Sequence, residues 1–301
     1  MNRLIYLGIA ILVLFIGSCS SKLQGTKTRN DLLFSQKNLL AWCTVPYDSK
    51  KRNSEERAVM LKELGFTSFA YDWRASDLPN METEFATLKK YNIELKAIWF
   101  WVSGGKERLD DANETILRTL EKTNTKTELW VSFPTGYFEG MPDEQKIKKG
   151  VKTIQYIHQR ASALGCKIAL YNHEDWFGEP ENEVKIIEAS GLKKVHIVYN
   201  FHHGHNQMDD FDNILKVTKP YLTTVNLNGM KGTEFKIRTI GEGDRELELL
   251  KKLKASGFNG SIGIIGNTDN EDVKVVLQRN LAGLKKLLAE MGETKALRTY
   301  Q

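Results

Sequence analysis

The residues best equipped for chemistry in this chain are histidines, and they are not scattered. Four of the six lie in two stretches, Tyr171-Asn172-His173-Glu174-Asp175-Trp176 and Tyr199-Asn200-Phe201-His202-His203-Gly204-His205. A neutral imidazole takes up a proton or binds a divalent metal near neutral pH. His173, His203 and His205 are the candidate acid–base residues. Side chains alternate along a strand, so His203 and His205 share a face and His202 opposes them until the chain turns. Glu174 and Glu179 add carboxylates close by. His173, His203, Glu174 and Glu179 could therefore hold Mn, Co, Zn or Mg, or the same set could move protons without metal. His158 and His196 sit inside helix and strand patterns and read as structural.

A third stretch, Ala70-Tyr71-Asp72-Trp73-Arg74, carries a carboxylate and a guanidinium around an aromatic ring. Arg74 could clamp an anion or sugar hydroxyls, or pair structurally with Asp72. Trp73, Trp99, Trp101 and Trp176 suit an aromatic rim against sugar C–H faces, each with a core position as the alternative. Asp72, Asn200, Asn226 and Asn228 suit sugar hydroxyls. There is no G-x-S-x-G elbow and no phosphate loop. Two carboxylates for glycoside hydrolysis could still come from different strands.

Something must bring these stretches together. Eight short apolar runs recur after Asn38: Leu39–Val45, Ser68–Trp73, Leu95–Val102, Leu129–Phe133, Lys167–His173, Val195–Phe201, Thr223–Leu227 and Ser261–Gly266. They read as strands. Helical periodicity lies between them, at Ser54–Leu64, Asp143–Leu164, Asp244–Ser256 and Asp269–Met291. Asn53 and Glu56 have the spacing of a capping box. Gly65, Gly165, Gly191 and Gly257 fall where helices should stop. Strand–helix alternation implies parallel βαβ units, and eight of them make an α/β fold, a single (β/α)8 TIM barrel over 38–291. A doubly wound open sheet is the runner-up, but Pro46-Tyr47-Asp48-Ser49 is not its glycine-rich loop. In a barrel the site lies at the C-terminal strand ends, where the histidines, Asp72 and the asparagines fall.

Residues 1–18 read as a signal peptide: Arg3, then an apolar run from Leu4 to Ile16, too short to span a bilayer comfortably. Ile16-Gly17-Ser18-Cys19 resembles a bacterial lipobox, which implies Cys19 as the lipidated residue; the alternative is an ordinary anchor or a cleaved signal with an incidental Cys. Residues 19–37 follow as a flexible tether, and 292–301 as a C-terminal tail. No Asp follows Cys19, so the resemblance places the protein in the cell envelope, anchored to the outer membrane and facing the periplasm. Cys43 and Cys166 fit two buried thiols, with a disulfide as the alternative. The 301 residues are 41% apolar and 27% charged, which excludes disorder, collagen and coiled coil. A net charge of +5, from 43 basic and 38 acidic residues, is spread along the chain and gives no case for nucleic acid.

From Asn38 to Leu288 the strand ends resemble the xylose-isomerase-like barrel superfamily of sugar-phosphate isomerases, epimerases and endonuclease IV. Gly241-Glu242-Gly243-Asp244 and Gly257-Phe258-Asn259-Gly260 look like that family's closing segment. The family's usual metal ligands are Glu, Asp, His and Glu. Aligned by motif they fall at Tyr171, Asn200, His203 and near Gly266, so only His203 matches. YNHxxWFGEP (Tyr171–Pro180), YNFHHGH (Tyr199–His205), NLNGM (Asn226–Met230) and AYDWR (Ala70–Arg74) are similar to one bacterial subgroup of sugar isomerase/epimerase-like proteins. That resemblance implies an enzyme acting on a 3-keto sugar or glycoside by proton abstraction beside a carbonyl, as an epimerase, lyase or hydratase. It also implies companion sugar-oxidising or keto-glycoside-cleaving enzymes. The alternative is a catalytically inactive, membrane-tethered carbohydrate-binding barrel.

Overall fold

The computed structural model describes residues 31–103, 109–232, 234–268 and 270–300; Cys19, the signal segment and Asp269 lie outside the described residues. The strands are β1 (Leu39–Trp42), β2 (Ser68–Tyr71), β3 (Glu94–Trp101), β4 (Glu128–Ser132), β5 (Lys167–Tyr171), β6 (Val195–Asn200), β7 (Leu222–Leu227), β8 (Gly229–Lys231), β9 (Glu234–Arg238) and β10 (Ser261–Ile265). Eight of them close a parallel barrel in the order β1-β10-β7-β6-β5-β4-β3-β2. The open-sheet alternative is thereby excluded. β8 and β9 form a separate antiparallel hairpin after β7.

Both faces of each barrel strand are covered, which is why they read as continuous apolar runs. Alternate residues point inward: Leu40, Trp42, Ala70, Ala97, Trp130, Ala169, Tyr171, Val198 and Ile265 form one inner cluster. Alanine at 70, 97 and 169 makes room for the three large rings. The other parity, such as Phe69, Ile98, Leu129, Ile168, Ile197 and Ile264, packs outward against the helices. Those helices are α1 (Ser54–Glu63), α2 (Met81–Lys90), α3 (Asp111–Thr123), α4 (Asp143–Ala163), α5 (Pro180–Ser190), α6 (Phe211–Thr218), α7 (Glu246–Ala255), α8 (Val273–Glu290) and α9 (Thr294–Leu297). The capping box at α1 is present in both directions between Asn53 and Glu56. Gly191 ends α5 at φ +64°, where a side chain would be strained.

Several strands stop short of their expected ends. β1 ends at Trp42 and not Val45, β2 at Tyr71 and not Trp73, β5 at Tyr171 and not His173. Cys43 takes φ +53°, and Glu174 and Asp175 take +55° and +53°, so the chain turns off the ladder at once. The expected tether 19–37 is also too long. Leu33 and Phe34 are core residues, the Gln36 amide donates to Leu64 O, and the Tyr300 hydroxyl donates to Phe34 O. The packed body therefore begins by residue 31 and includes most of the supposed C-terminal tail.

One buried carboxyl has no role in this packing. Glu183 of α5 is 0% exposed, and neither oxygen meets a hydrogen-bond partner among the described residues. Burial, reinforced by Glu179, pushes its pKa well above the usual carboxylate range. The folded state thus keeps a proton that the unfolded chain gives up near pH 4–5. Stability present below that pH is lost as pH rises toward the folded pKa. Glu183→Gln should therefore melt at a temperature closer to wild type at pH 4 and clearly above it at pH 8. A constant difference across that range would refute a neutral Glu183.

Candidate active site

The C-terminal strand ends enclose a cavity of about 270 Å³. That is close to the lower end of the ~300–1,000 Å³ range of small-molecule sites. Its lining mixes acid–base groups (Asp72, His173, Glu174, His202, His203), polar groups (Tyr47, Arg74, Tyr171, Asn200, Asn267) and apolar surface from Trp42, Cys43, Trp99, Ile237 and Ile265. Ile237 belongs to β9, so the extra hairpin supplies part of the wall. Trp42, Trp130 and Tyr171 make an aromatic floor, with ring centroids 4.8 to 6.2 Å apart.

His173 follows β5 in a tight loop. Gly178 permits that loop, because a Cβ there would lie 2.6 Å from Glu174 O. Thr135 donates to Glu174 Oε2 and Gly136 N–H to Asp175 Oδ2, which ties the loop to the β4 end. Past β6 the chain does not stay extended. It coils as a 3-10 segment over Phe201–Asp210, and Asn200 Oδ1 caps it by accepting from His202 N–H. This coil overturns the strand-parity expectation. His202 and His203 line the cavity, while His205 is buried with its Nδ1 2.5 Å from His202 O.

The rings of His173 and His203 are 4.5 Å apart, and those of His202 and His203 4.8 Å. Desolvation holds all three imidazoles below their ordinary pKa, His202 at about 4, with mutual repulsion adding to it for His202 and His203. They are neutral at pH 7. Across the cavity, Asp72 is 2% exposed; its Oδ1 accepts from Val45 N–H, while Oδ2 meets no partner among the described residues. Burial pushes its pKa up to about 7, against the lowering effect of that hydrogen bond and of Arg74. β2 and β6 stand four places apart in the eight-strand ring, so Asp72 and His203 come from opposite sides.

Arg74 does not pair with the Asp72 carboxylate. It donates to the carbonyls of Asp72 and Trp73 and to the Tyr47 hydroxyl, and lies 5.0 Å from the Trp99 ring centroid. Of the expected aromatic rim, Trp99 alone lines the cavity. Trp101 stands edge-on to His173 at 5.1 Å. Trp73 is buried, donating to Trp99 O, and Trp176 packs on Phe138. Four other candidate residues differ in placement. Glu179 accepts from Gln207 outside the cavity. Asn226 is buried against Gly263, and Asn228 donates to Gly229 O. Asn200 spends its amide on the Tyr171 hydroxyl and on the 3-10 cap. Tyr171, Tyr47, Trp42, Ile237 and Asn267 were not foreseen. An inward-facing Trp42 and Tyr171 could have been read from strand parity; the others depend on loop paths. Cys43 and Cys166 are free thiols, and burial beside Asp72 pushes the Cys43 pKa up, so it stays protonated.

The donors present suit a divalent cation. Nδ1 of His173 and Nδ1 of His203 are buried and meet no hydrogen-bond partner among the described residues. One ligand atom from each of His173, Glu174 and His203 lies within 4.8 Å of the others. Two neutral imidazoles and a carboxylate are a familiar set for such ions.

Residues 59–287 match the family model of the xylose isomerase-like TIM barrel. Among solved structures, the chain is similar to 3-keto-D-glucoside 4-epimerase from E. coli at 17% identity and TM-score 0.62, over 83% of this chain and 99% of that one. It is similar to D-psicose 3-epimerase from Clostridium cellulolyticum at 15% and 0.58, over 86% and 96%. It is also similar to L-ribulose 3-epimerase at 13% and 0.60, over 87% and 98%. At such identities the likeness is one of fold. No curated protein matches the chain in sequence.

Proposed function

We propose a function that starts from one premise: the chain belongs to the xylose isomerase-like TIM barrel family. On that premise its cavity is the site of a sugar epimerase or isomerase that removes a proton beside a carbonyl. The observation that carries the reading is the placement of neutral imidazoles and a near-neutral carboxyl on opposite sides of one small polar cavity. Epimerisation needs that arrangement, because a proton leaves one face of a carbon and returns to the other.

A 3-keto sugar or glycoside is the substrate class. The keto group acidifies the neighbouring C–H, and the E. coli structure named for a 3-keto-D-glucoside epimerase supports the choice. The unprotonated His203 imidazole, packed against His173, takes the proton. The electron pair moves onto the carbonyl oxygen. The Tyr171 hydroxyl, which already accepts from Asn200, has its own proton free to point at that oxygen, with Arg74 as the nearby cation. Asp72, protonated, returns a proton from the opposite side. Expulsion of a β-substituent from the same enediolate is the lyase outcome. As the alternative role of the same set, His173, Glu174 and His203 would hold a divalent cation that stabilises the negative oxygen as a Lewis acid, and His203 would then be a ligand and not the base.

The test is incubation with 3-keto-glucosides in D2O. Deuterium should enter substrate or product, or elimination should occur. No deuterium across a panel of keto sugars, with and without Mn, Co and Zn, would leave the inactive carbohydrate-binding barrel as the better reading. The keto group also implies a sugar-oxidising reaction upstream.

The reading extends to location. Cys19 is the lipid attachment site, and the protein is tethered in the cell envelope, at the outer membrane. No helix among the described residues is long and apolar enough to cross a membrane. Cys19→Ala should release the protein from membranes or block its processing. Unchanged fractionation together with unchanged mass would refute lipidation.

A further inference from the structure

The lysines are spread evenly along the sequence, yet the fold gathers a group of them at the end of the barrel opposite the cavity. Lys126, Lys167, Lys193, Lys194 and Lys219 lie on the connections that lead into β4, β5, β6 and β7, Lys167 as the first residue of its strand. Those four strands are neighbours in the ring, so the lysines form a crescent along one side of the N-terminal mouth. All five are exposed, and among the described residues none has a carboxylate within ion-pair distance.

Three carboxylates of that end are engaged elsewhere. Glu128 turns inward to His196, Glu94 lies 3.5 Å from Lys96, and Asp31 pairs with Lys295. Lysines in the last turns of the helices complement helix dipoles, and many carry ion pairs, such as Lys90 with Glu55, Lys122 with Glu82 and Lys252 with Asp212. Lys126, Lys167, Lys193 and Lys194 lie beyond those turns and Lys219 is the C-cap of α6; none of the five has an ion-pair partner among the described residues.

The same end receives the N-terminal segment. The Asn38 amide donates to Gly260 O just before β10, and Gln36 reaches Leu64 at the end of α1. A lipid on Cys19 would therefore tether the chain from this end, through residues 20–30, which at about 3.5 Å each reach no more than about 40 Å. Anionic headgroups attract exposed lysines within about a Debye length, ~8–10 Å at physiological salt.

We propose that the N-terminal face of the barrel docks on an anionic lipid surface through Lys126, Lys167, Lys193, Lys194 and Lys219, leaving the cavity mouth facing away from the membrane. The proposal takes lipid attachment at Cys19 as the source of the anchor and is independent of the sugar chemistry.

The full chain is reconstituted on vesicles with and without phosphatidylglycerol, and lysine modification by an amine-reactive label is read by mass spectrometry. On anionic vesicles, labelling of the five lysines should fall several-fold and recover in high salt. Lys50 and Lys51, exposed at the cavity end, should label equally on both. The variant carrying K126E, K167E, K193E and K194E, all surface changes, should lose the protection at Lys219. Equal labelling of the crescent on both vesicle types would overturn the proposal, as would protection of Lys50 and Lys51 instead. Protection of the crescent by a single-stranded oligonucleotide but not by vesicles would replace the lipid surface with a nucleic acid.

Discussion

Replacing His203 by alanine should slow deuterium exchange into a 3-keto glucoside by about a hundredfold or more, the size usual for loss of a general base. The imidazole is neutral at pH 7, so its proton-accepting form is the resident one. Its neighbours cannot easily take over. His173 is 4.5 Å away and on the same side, but its ring is fixed by the β5 loop and by Trp101. His202 is held at about 4 by burial and by repulsion from its neighbours. His205→Ala separates this from general damage to the coil. Its side chain is buried beneath the 3-10 segment, so it should lower the melting temperature more than the exchange rate. If H203A exchanges at the wild-type rate while remaining folded, the base is elsewhere and the mechanism fails.

The barrel was legible in the sequence because both faces of each strand are buried, which leaves short apolar runs that periodicity can count. The site was legible as residue types and less so as geometry. His173, His203, Asp72, Arg74, Glu174 and Trp99 meet in one cavity, since each sits within a few residues of a strand end. His205 and Glu179 fall outside the cavity because the chain coils or turns off at the strand end and redirects the side chains after it. The 3-10 coil after Asn200 has no strong pattern of its own; its polar residues fit a loop equally well. The β8–β9 hairpin is three and five residues per strand, too short for alternation to register. The lysine crescent was invisible for another reason. Its members are separated by whole βα units, and only ring closure places them side by side.

Asp72→Asn should change the pH dependence as well as the rate. With Asp72 at about 7, a site that needs its protonated form loses kcat/KM as pH rises through 7. On the acid side the imidazoles must be neutral, and all three titrate below their ordinary value, so activity should hold to below that ordinary value. Asparagine cannot supply a proton and does not titrate. D72N should therefore be slower by about a hundredfold below pH 7, with the fall above pH 7 absent. A readout independent of chemistry comes from stability. The folded pKa of Asp72 is raised, so its contribution is complete below the unfolded value near 4 and is lost as pH climbs to about 7. D72N escapes that loss and should gain on wild type in thermal stability between pH 4 and 8. A wild-type profile that rises through pH 7 would mean that the Asp72 carboxylate is the base. The histidine side would then be the proton donor, and the direction assigned to proton transfer across the cavity would reverse.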